Sequence, residues 1–239
     1  MIIDFNAHFG AGPGAIERRS ARACYEMQRA AGIDLCVASD LATAFDDFDF
    51  EQGPLPPNII LFAGLSPRFN ASSLPTAKGV RIYPTYQQWR FDDAESARPL
   101  AQCRERRMIV QIYLRLQDPR ALPVSVAIGE VIKQAHKLIQ ANADVRFVIS
   151  GASYAEVRQN VDLFGRSNVW TDISHIQHPI NSLPKLVELI DSSRVLFGSG
   201  APVMYPYANL YRVINSSISP AARERILWRN AAELLGITP

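Results

Sequence analysis

The sequence predicts an α/β fold, a compact (β/α)₈ barrel that forms one domain over residues 1–239. About eight short apolar runs alternate with helical segments, which is typical of βαβ units around a parallel sheet. The length is close to the roughly 250 residues that such a barrel takes. The first run ends in polar residues, as barrel strands do where they bring a site to the C-terminal mouth. An open, doubly wound sheet is the alternative, but no G-x-G-x-x-G follows a predicted strand.

The first predicted strand, Met1–Gly10, begins with an apolar run. Because side chains alternate along a strand, it places Asp4, Asn6 and His8 on one face. The other predicted strands are 33–39, 58–65, 79–84, 108–114, 145–150, 169–174 and 194–199. Helices are predicted at 15–31, 94–106, 124–141, 183–190 and 220–235, the last on the outside of the barrel. The loop 42–57, with Phe45, Asp46 and Asp47, either borders a pocket or forms a solvated connection.

The composition, 48% hydrophobic and 20% charged residues with a net charge of +2, is ordinary for a globular protein. No cluster of Lys and Arg indicates nucleic-acid binding, and no apolar run reaches the roughly 18 residues of a membrane span. The three cysteines, Cys24, Cys36 and Cys103, are scattered and form no C-x-x-C. They predict small buried thiols in a cytoplasmic protein rather than a structural zinc site.

Several segments, in order, resemble the amidohydrolase-related family of metal-dependent hydrolases and decarboxylases, which are TIM barrels. The similar segments are MIIDFNAHFG, MQRAAGIDLCVAS, PPNIILFAGLSP, KGVRIYP, RPLAQCRERRMIVQIY, RVLFGSGAP and ILWRNAAELLGI. No single one is decisive, but the ordered set covers nearly the whole chain. The resemblance implies a TIM barrel and, in ordinary members, a metal at the C-terminal mouth.

The residues at the metal-ligand places implied by this resemblance differ from those of the family. Asn6 takes the place of the first histidine of strand one, and His8 is the second. Tyr113 takes the place of the strand-five histidine, Gly151 of the strand-six histidine, and Gly200 of the strand-eight aspartate. A catalytic zinc needs about three protein ligands with an open position for water. We therefore expect no metal cofactor and the loss of the metal-dependent chemistry, with a divalent metal such as zinc as the alternative.

If the barrel forms, its mouth is lined by polar and aromatic residues near the strand ends. The expected set is Asn6, His8, Arg81, Tyr83, Gln111, Tyr113, Arg115, Ser150 and Ser199. One interpretation is a site for a small polar or anionic ligand, formed by Asn6, Arg81, Tyr83, Tyr113 and Arg115, because arginine forks match carboxylates. The other is a network in which the arginines pair with Asp4 or Asp172 and fill the former metal void.

Two further functions stay open at this point. An active hydrolase or lyase would use His8 and Asp172 as catalytic residues, either without a metal and with Tyr113, or with a metal site rebuilt from His8, His175 and His178. An oligomeric scaffold would use Tyr205, Tyr207 and Tyr211 as an interface between copies, although these tyrosines are equally expected in the core under the last helix. The expected partners are a small molecule or a second copy, and neither nucleic acid nor a membrane.

Overall fold

The computed structural model describes residues 1–12, 19–47, 54–66, 77–91 and 94–238, with the backbone alone for 94–98. These residues form eight parallel strands in the order β1 to β8, each paired with the next along the chain. The strands are β1 Ile3–Phe9, β2 Leu35–Asp40, β3 Ile59–Gly64, β4 Gly79–Ile82, β5 Ile109–Tyr113, β6 Phe147–Ser150, β7 Val169–Asp172 and β8 Val195–Leu196. All eight predicted strands are confirmed, each within the predicted bounds or one residue beyond them.

The ring is closed between β8 and β1 by main-chain hydrogen bonds and a single bridge. Phe5 N donates to Phe197 O at 2.8 Å, His8 N donates to Ala201 O at 2.7 Å, and Ala7 pairs with Ala201. Because β8 is only two residues long, these bonds of the segment after it complete the barrel. The predicted (β/α)₈ architecture is thus confirmed.

Helices surround the barrel and follow the predicted pattern, with several additions. The α-helices are α1 Ala21–Ala30, α2 Pro84–Gln87, α3 Ala94–Glu105, α4 Ile128–Ala141, α5 Tyr154–Gln159, α6 Val161–Phe164, α7 Ser182–Ile190, α8 Pro206–Ile214, α9 Pro220–Glu224 and α10 Asn230–Leu235. A π-helical segment, Arg225–Arg229, joins α9 to α10. None of these helices in the described residues is long and apolar enough to cross a membrane.

Two predicted segments reach into residues outside the described part. The first predicted helix, 15–31, is observed from Ala21, after its cap Ser20, whose hydroxyl accepts from Ala23 N at 3.1 Å. Residues 13–18 and 48–53 lie outside the described part. The described start of the predicted loop 42–57 is a 3₁₀ turn, Leu41–Phe45, whose Leu41 and Ala44 are buried. The start of this segment is therefore packed, whereas Phe45, Asp47, Pro54 and Pro57 are exposed.

The C-terminal helix closes one end of the barrel rather than lying along its side. Leu234 and Leu235 of α10 belong to the same apolar cluster as Ile3 and Leu196, which lie near the starts of their strands. The guanidinium of Arg146, just before β6, donates to Leu234 O at 2.8 Å. The N-terminal end of the barrel is therefore covered, which leaves the C-terminal end for a site.

One strand departs from simple alternation and changes which residues face the lumen. The register of β1 against β2 shifts between Asp4 and Ala7, so that one extra residue of β1 bulges there. Asp4 consequently faces α1, where Gln28 Nε2 donates to it at 2.8 Å. The prediction that Asp4 shares one face with Asn6 and His8 is wrong, because period two fails across a bulge.

Candidate functional site

The lumen near the C-terminal strand ends holds a buried network of polar side chains. Asn6 is at its centre, and its amide is bonded at both ends. Tyr113 Oη donates to Asn6 Oδ1 at 2.8 Å, and Asn6 Nδ2 contacts both carboxylate oxygens of Asp172 at 3.3 Å and Ser174 Oγ at 3.1 Å. β1, β5 and β7 are thereby joined across the barrel. Asp172 also accepts from Ser174 N at 2.8 Å.

Arg81 of β4 is fully buried and lies across the lumen. Nε donates to Gln111 Oε1 at 2.8 Å, Nη1 donates to Ser39 Oγ at 3.0 Å and to Ala7 O at 2.8 Å, and Nη2 reaches two more main-chain oxygens at 3.4 Å. Every acceptor is neutral. These polar groups are hydrogen-bonded to one another, but the predicted pairing of the arginines with Asp4 or Asp172 is wrong for Arg81, which bonds to neither.

The hydrogen bonds of Arg81 extend through Ser39 and Tyr83 to His8. Ser39 Oγ and Tyr83 Oη are 3.0 Å apart, and Tyr83 Oη lies 3.1 Å from His8 Nε2. Because a guanidinium only donates, Ser39 Oγ accepts from Arg81. The hydroxyl proton of Ser39 then forms a hydrogen bond only if it points to Tyr83 Oη. In that arrangement Tyr83 donates to Nε2, and the proton of neutral His8 is assigned to Nδ1. Nδ1 is buried and makes no hydrogen bond of normal geometry, and the backbone of Ala201 is the polar group that acts on the ring besides Tyr83.

The ionisation of these groups follows from their burial. Burial, and secondarily the positive charge of Arg81, lowers the pKa of His8 well below its ordinary value of 6.5. Burial also raises the pKa of Tyr113 well above 10.0, with the charge of Asp172 as the next cause, and burial raises the pKa of Tyr83. At neutral pH the site therefore presents a neutral imidazole and two neutral phenols around one guanidinium, with the carboxyl group of Asp172 bonded to Asn6.

An apolar layer covers this network at the mouth. It consists of Leu41, Ala44, Tyr83, Tyr86, Tyr113 and Leu116, with Leu122, Val124 and Val203 packed against it. His8 and Tyr83 have no exposed surface, and Tyr113 is 1% exposed. The rings of Tyr83 and Tyr113 lie 5.3 Å apart, and the same distance separates Tyr113 from His8. A ligand that contacts these side chains would have to lie beneath this layer.

Arg115 and Ser199, both expected at the mouth, have other partners. Arg115 follows β5 and forms an ion pair with Glu156 of α5. Ser199 bonds to Asp4, its N–H donating to Oδ1 at 2.9 Å and its hydroxyl to Oδ2, so it faces the α1 side and not the lumen. The inward placement of Ser199 is therefore wrong, whereas its interpretation as a structural residue fits these bonds. Sequence reasoning missed Ser39, which lies between Arg81 and Tyr83, because a serine at a strand end carries no signal of its own.

His175 and His178 do not join His8. No group of three or more His, Cys, Asp or Glu side chains in the described part of the chain is arranged to hold a metal. His178 is exposed. Burial lowers the pKa of His175 to about 4, although the charge of Asp172 opposes the shift. The structure does not contain the rebuilt three-histidine site, because His8 is enclosed in the lumen while the loop that carries His178 points outward.

The side chains at the five implied ligand places do not fit a catalytic metal. His8 Nε2 is used by Tyr83, and the amide of Asn6 is used at both ends. Tyr113 is a neutral donor, and neither Gly151 nor Gly200 has a side chain. Gly151 has a φ of +77°, and a Cβ there would lie 2.6 Å from Arg115 O. One histidine without a second imidazole, thiolate or carboxylate at these places falls short of the three ligands that zinc needs.

A match to a protein family shows which family the chain belongs to. The family described as amidohydrolase matches residues 73–237. The chain belongs to the amidohydrolase family. That match begins near β4 and reaches the end of α10, so it covers most of the strands that surround the site. No curated protein matches this amidohydrolase-family chain.

Several solved structures share the fold of this amidohydrolase-family chain at low identity. The 5-carboxyvanillate decarboxylase of Sphingomonas paucimobilis is 14% identical, with 99% of each chain covered and a TM-score of 0.72. A dihydroxybenzoic acid decarboxylase of Polaromonas, with bound manganese and an inhibitor, is 16% identical, with 98% of this chain and 96% of that chain covered and a TM-score of 0.72. An amidohydrolase of Burkholderia multivorans with bound zinc is 16% identical over all of both chains, at a TM-score of 0.67.

Proposed function

We propose that this protein is a member of the amidohydrolase family that works without a catalytic metal. In this proposal it has lost the metal-dependent hydrolase and decarboxylase chemistry and keeps the barrel to bind a small polar or anionic ligand at the C-terminal mouth. The observation that carries the proposal is the donor set at the five implied ligand places, where His8 is the one imidazole. The similar decarboxylase and amidohydrolase with manganese and zinc make a divalent metal the alternative.

The loss of the metal rests on the chemistry of the remaining donors. A catalytic zinc lowers the pKa of its water from about 15.7 to about 7, which requires ligands that hold the ion firmly. An amide oxygen and a neutral phenol are poor ligands for this purpose, and a glycine offers none. The aspartate that the resemblance implies on strand eight would also supply a carboxylate base beside the metal. Gly200 removes that group.

The ligand proposal rests on charge and on one free donor. Arg81 is a buried cation whose hydrogen-bond acceptors are all neutral, so a small anion near it would be stabilised by its charge. The donors of Arg81 are all engaged, and the direct contact would come from His8 Nδ1–H, with Asn6, Tyr83 and Tyr113 around it. Arg115 would contribute from the rim, since its Nε has no partner.

Metal content of the protein purified without chelator tests the first half of the proposal. After incubation with Zn²⁺ or Mn²⁺ and dialysis, we expect far less than one equivalent by elemental analysis and no rise in melting temperature. His8→Gln and the exposed His178→Gln serve as a matched pair. About one equivalent of metal that is lost in His8→Gln and kept in His178→Gln would contradict the proposal.

An active enzyme without a metal is the second candidate. The observation in its favour is the continuous link from Tyr113 through Asn6 to Asp172, which ties the phenol next to His8 to a buried carboxylate. Here His8 would serve as base or acid and Asp172 as the group that orients the network. Turnover of a small carboxylated or cyclic compound, with a bell-shaped pH dependence and loss in His8→Gln, would establish this candidate.

An assembly of identical copies is the third candidate. Tyr205 is 82% exposed, Tyr211 58% and Tyr207 42%, and the rings of Tyr207 and Tyr211 stack at 6.2 Å. The expectation that these tyrosines form a core under the last helix is therefore wrong. Sedimentation velocity tests the assembly, and a monomer at all concentrations would count against it.

We also propose a cytoplasmic location, because Cys24, Cys36 and Cys103 are buried free thiols.

A further inference from the structure

A second concave site lies outside the barrel lumen, between the start of α7 and the end of α8. Its volume is about 440 Å³, within the range of small-molecule sites. None of its lining residues belongs to the His8–Arg81 network. Arg212 is its one charged lining residue, and the other lining residues are three amides, two serines and three apolar residues. The site therefore has a net positive charge and no carboxylate of its own.

Arg212 is half-buried without a counter-ion. Its described polar contact is from Nη1 to Asn209 Oδ1 at 2.6 Å, and no carboxylate in the described residues lies within ion-pair distance. Loss of hydration lowers the pKa of Arg212, and no neighbouring charge offsets it. With Nη1 anchored on Asn209, the edge formed by Nε and Nη2 is unpaired. That edge has the planar, two-donor geometry that matches a carboxylate.

Two further features of the cavity match an anion. Ser216 Oγ is enclosed and makes no hydrogen bond, which is costly for a hydroxyl unless a ligand or water pairs with it. α7 begins at the cavity, and its N-cap residue Asn181 makes no capping bond with its side chain. In the first turn of that helix Ser182 N–H donates to Pro179 O at 2.9 Å and Pro184 has no N–H, so the helix contributes only the partial positive charge of its dipole.

Another wall, at the start of α7, has an apolar part. Ile180 is 96% exposed and Pro184 is partly exposed, whereas Leu183, which also lines the cavity, is buried in the core. A single isoleucine on a surface needs no explanation, but here it borders a cavity with an unpaired cation. One positive charge beside an apolar wall suits a monoanion with an apolar body better than a phosphate, which carries about −1.5 to −2.

We propose that this cavity binds a small organic carboxylate, with the carboxylate on Arg212 and Ser216 and the apolar body against Ile180 and Pro184. This site is independent of the proposed function of the barrel lumen. Arg212 also bonds to Asn209, whose Nδ2 donates at 2.9 Å to the main-chain oxygen of Ser199, in the segment after β8. Occupancy would therefore immobilise a side chain that is linked through Asn209 to the segment that closes the barrel.

Calorimetric titration of the full-length protein with hexanoate tests the proposal. Hexanamide has the same shape without the charge, and inorganic phosphate has the charge without the apolar body. We expect hexanoate to bind with an affinity that falls as salt is added, hexanamide to bind at least about ten-fold more weakly, and phosphate not to compete. Equal binding of hexanoate and hexanamide, or no binding of hexanoate, would overturn the proposal.

Variants locate the binding. Arg212→Gln keeps a polar side chain and removes the charge, and we expect it to weaken hexanoate binding by about ten-fold or more. Because Ile180 is exposed, Ile180→Asp and its neutral match Ile180→Asn will fold, and only the aspartate is expected to repel the carboxylate. Arg104→Gln, which removes a positive charge from an exposed ion pair outside this cavity, is expected to leave hexanoate binding unchanged. Loss of binding in His8→Gln with retention in Arg212→Gln would place the ligand in the barrel and refute this site.

Discussion

The main-chain oxygen of Arg115 occupies the space into which a side chain at Gly151 would extend. A Cβ at Gly151 would lie 2.6 Å from that oxygen and 2.9 Å from Arg115 N. The ends of β5 and β6 are thus in direct backbone contact. The resemblance to the family implies a histidine at this place, and the contact shows why this chain cannot accommodate one without moving a strand end.

Gly151→Ala should therefore destabilise the protein more than Gly200→Ala. Both glycines have positive φ, +77° and +74°, so each alanine carries a backbone strain of roughly 1 kcal/mol. At Gly200 the nearest atom is Met204 Sδ at 3.1 Å, which is flexible, whereas at Gly151 it is backbone. We expect a loss of about 3 kcal/mol for Gly151→Ala and about 1 kcal/mol for Gly200→Ala in urea unfolding. Equal losses would show that the strand ends separate easily.

Arg81→Gln should be severely destabilising. It removes a buried cation that satisfies Ser39, Gln111 and several main-chain oxygens, which would be left without donors. We expect a loss of at least about 3 kcal/mol, because unsatisfied buried acceptors cost about 1–3 kcal/mol each. Arg104→Gln is the control, since Arg104 forms an exposed ion pair with Asp144 that is worth about 0–1 kcal/mol. Unfolding by guanidinium chloride, followed by circular dichroism, measures both, and similar small losses would refute the structural role of Arg81.

Tyr113→Phe tests the link between β5 and β1. The change keeps the ring against His8 and Tyr83 but leaves Asn6 Oδ1 without its donor. A loss of about 1–2 kcal/mol is expected from urea unfolding. Tyr211→Phe, at an exposed tyrosine, is the matched change and should alter stability by less than about 0.5 kcal/mol. If Tyr113→Phe proved as neutral as the control, the network would be contributing nothing to stability.

His175 should make the folded state sensitive to acid. Its pKa is about 4 when folded and about 6.5 when unfolded, so between these values the unfolded chain binds a proton that the folded chain does not. Stability from this difference is complete above pH 6.5 and falls as the pH is lowered toward 4. In the variant His175→Gln this contribution is absent. Its melting temperature should therefore fall less than that of the parent protein between pH 6.5 and pH 4.

His178→Gln, which removes an exposed histidine by the same substitution, is the matched control variant for this measurement. His8, whose pKa is also lowered, contributes in the same direction and remains in both variants. Some acid sensitivity should therefore persist in His175→Gln. A pH profile identical to that of the parent protein would show that His175 titrates normally.

The sequence predicted the strands well because barrel strands are short, fully buried apolar runs, such as FVIS at Phe147–Ser150, that no competing pattern obscures. It also identified Arg81, Tyr83, Tyr113 and His8 as neighbours, since parallel strands end at one edge. It failed at Asp4 and Ser199, where a bulge and a turn reverse the side-chain direction. The hydrogen-bond partners of Arg81 could not be predicted. They include main-chain oxygens on β1 and β2, which every residue has and which the residue types therefore do not distinguish.

The contact between β1 and the segment after β8 determines when the barrel can close during synthesis. The carboxylate of Asp4 is held by Ser199, and Ala7 is paired with Ala201, so the strand made first depends on a segment made about 190 residues later. At a synthesis rate of about 5–20 residues per second, the first strand would have one open edge for roughly 10 seconds or more. During translation the unpaired edge of β1 stays exposed until Ala201 has left the ribosome. We expect chaperones to bind this apolar edge during that time.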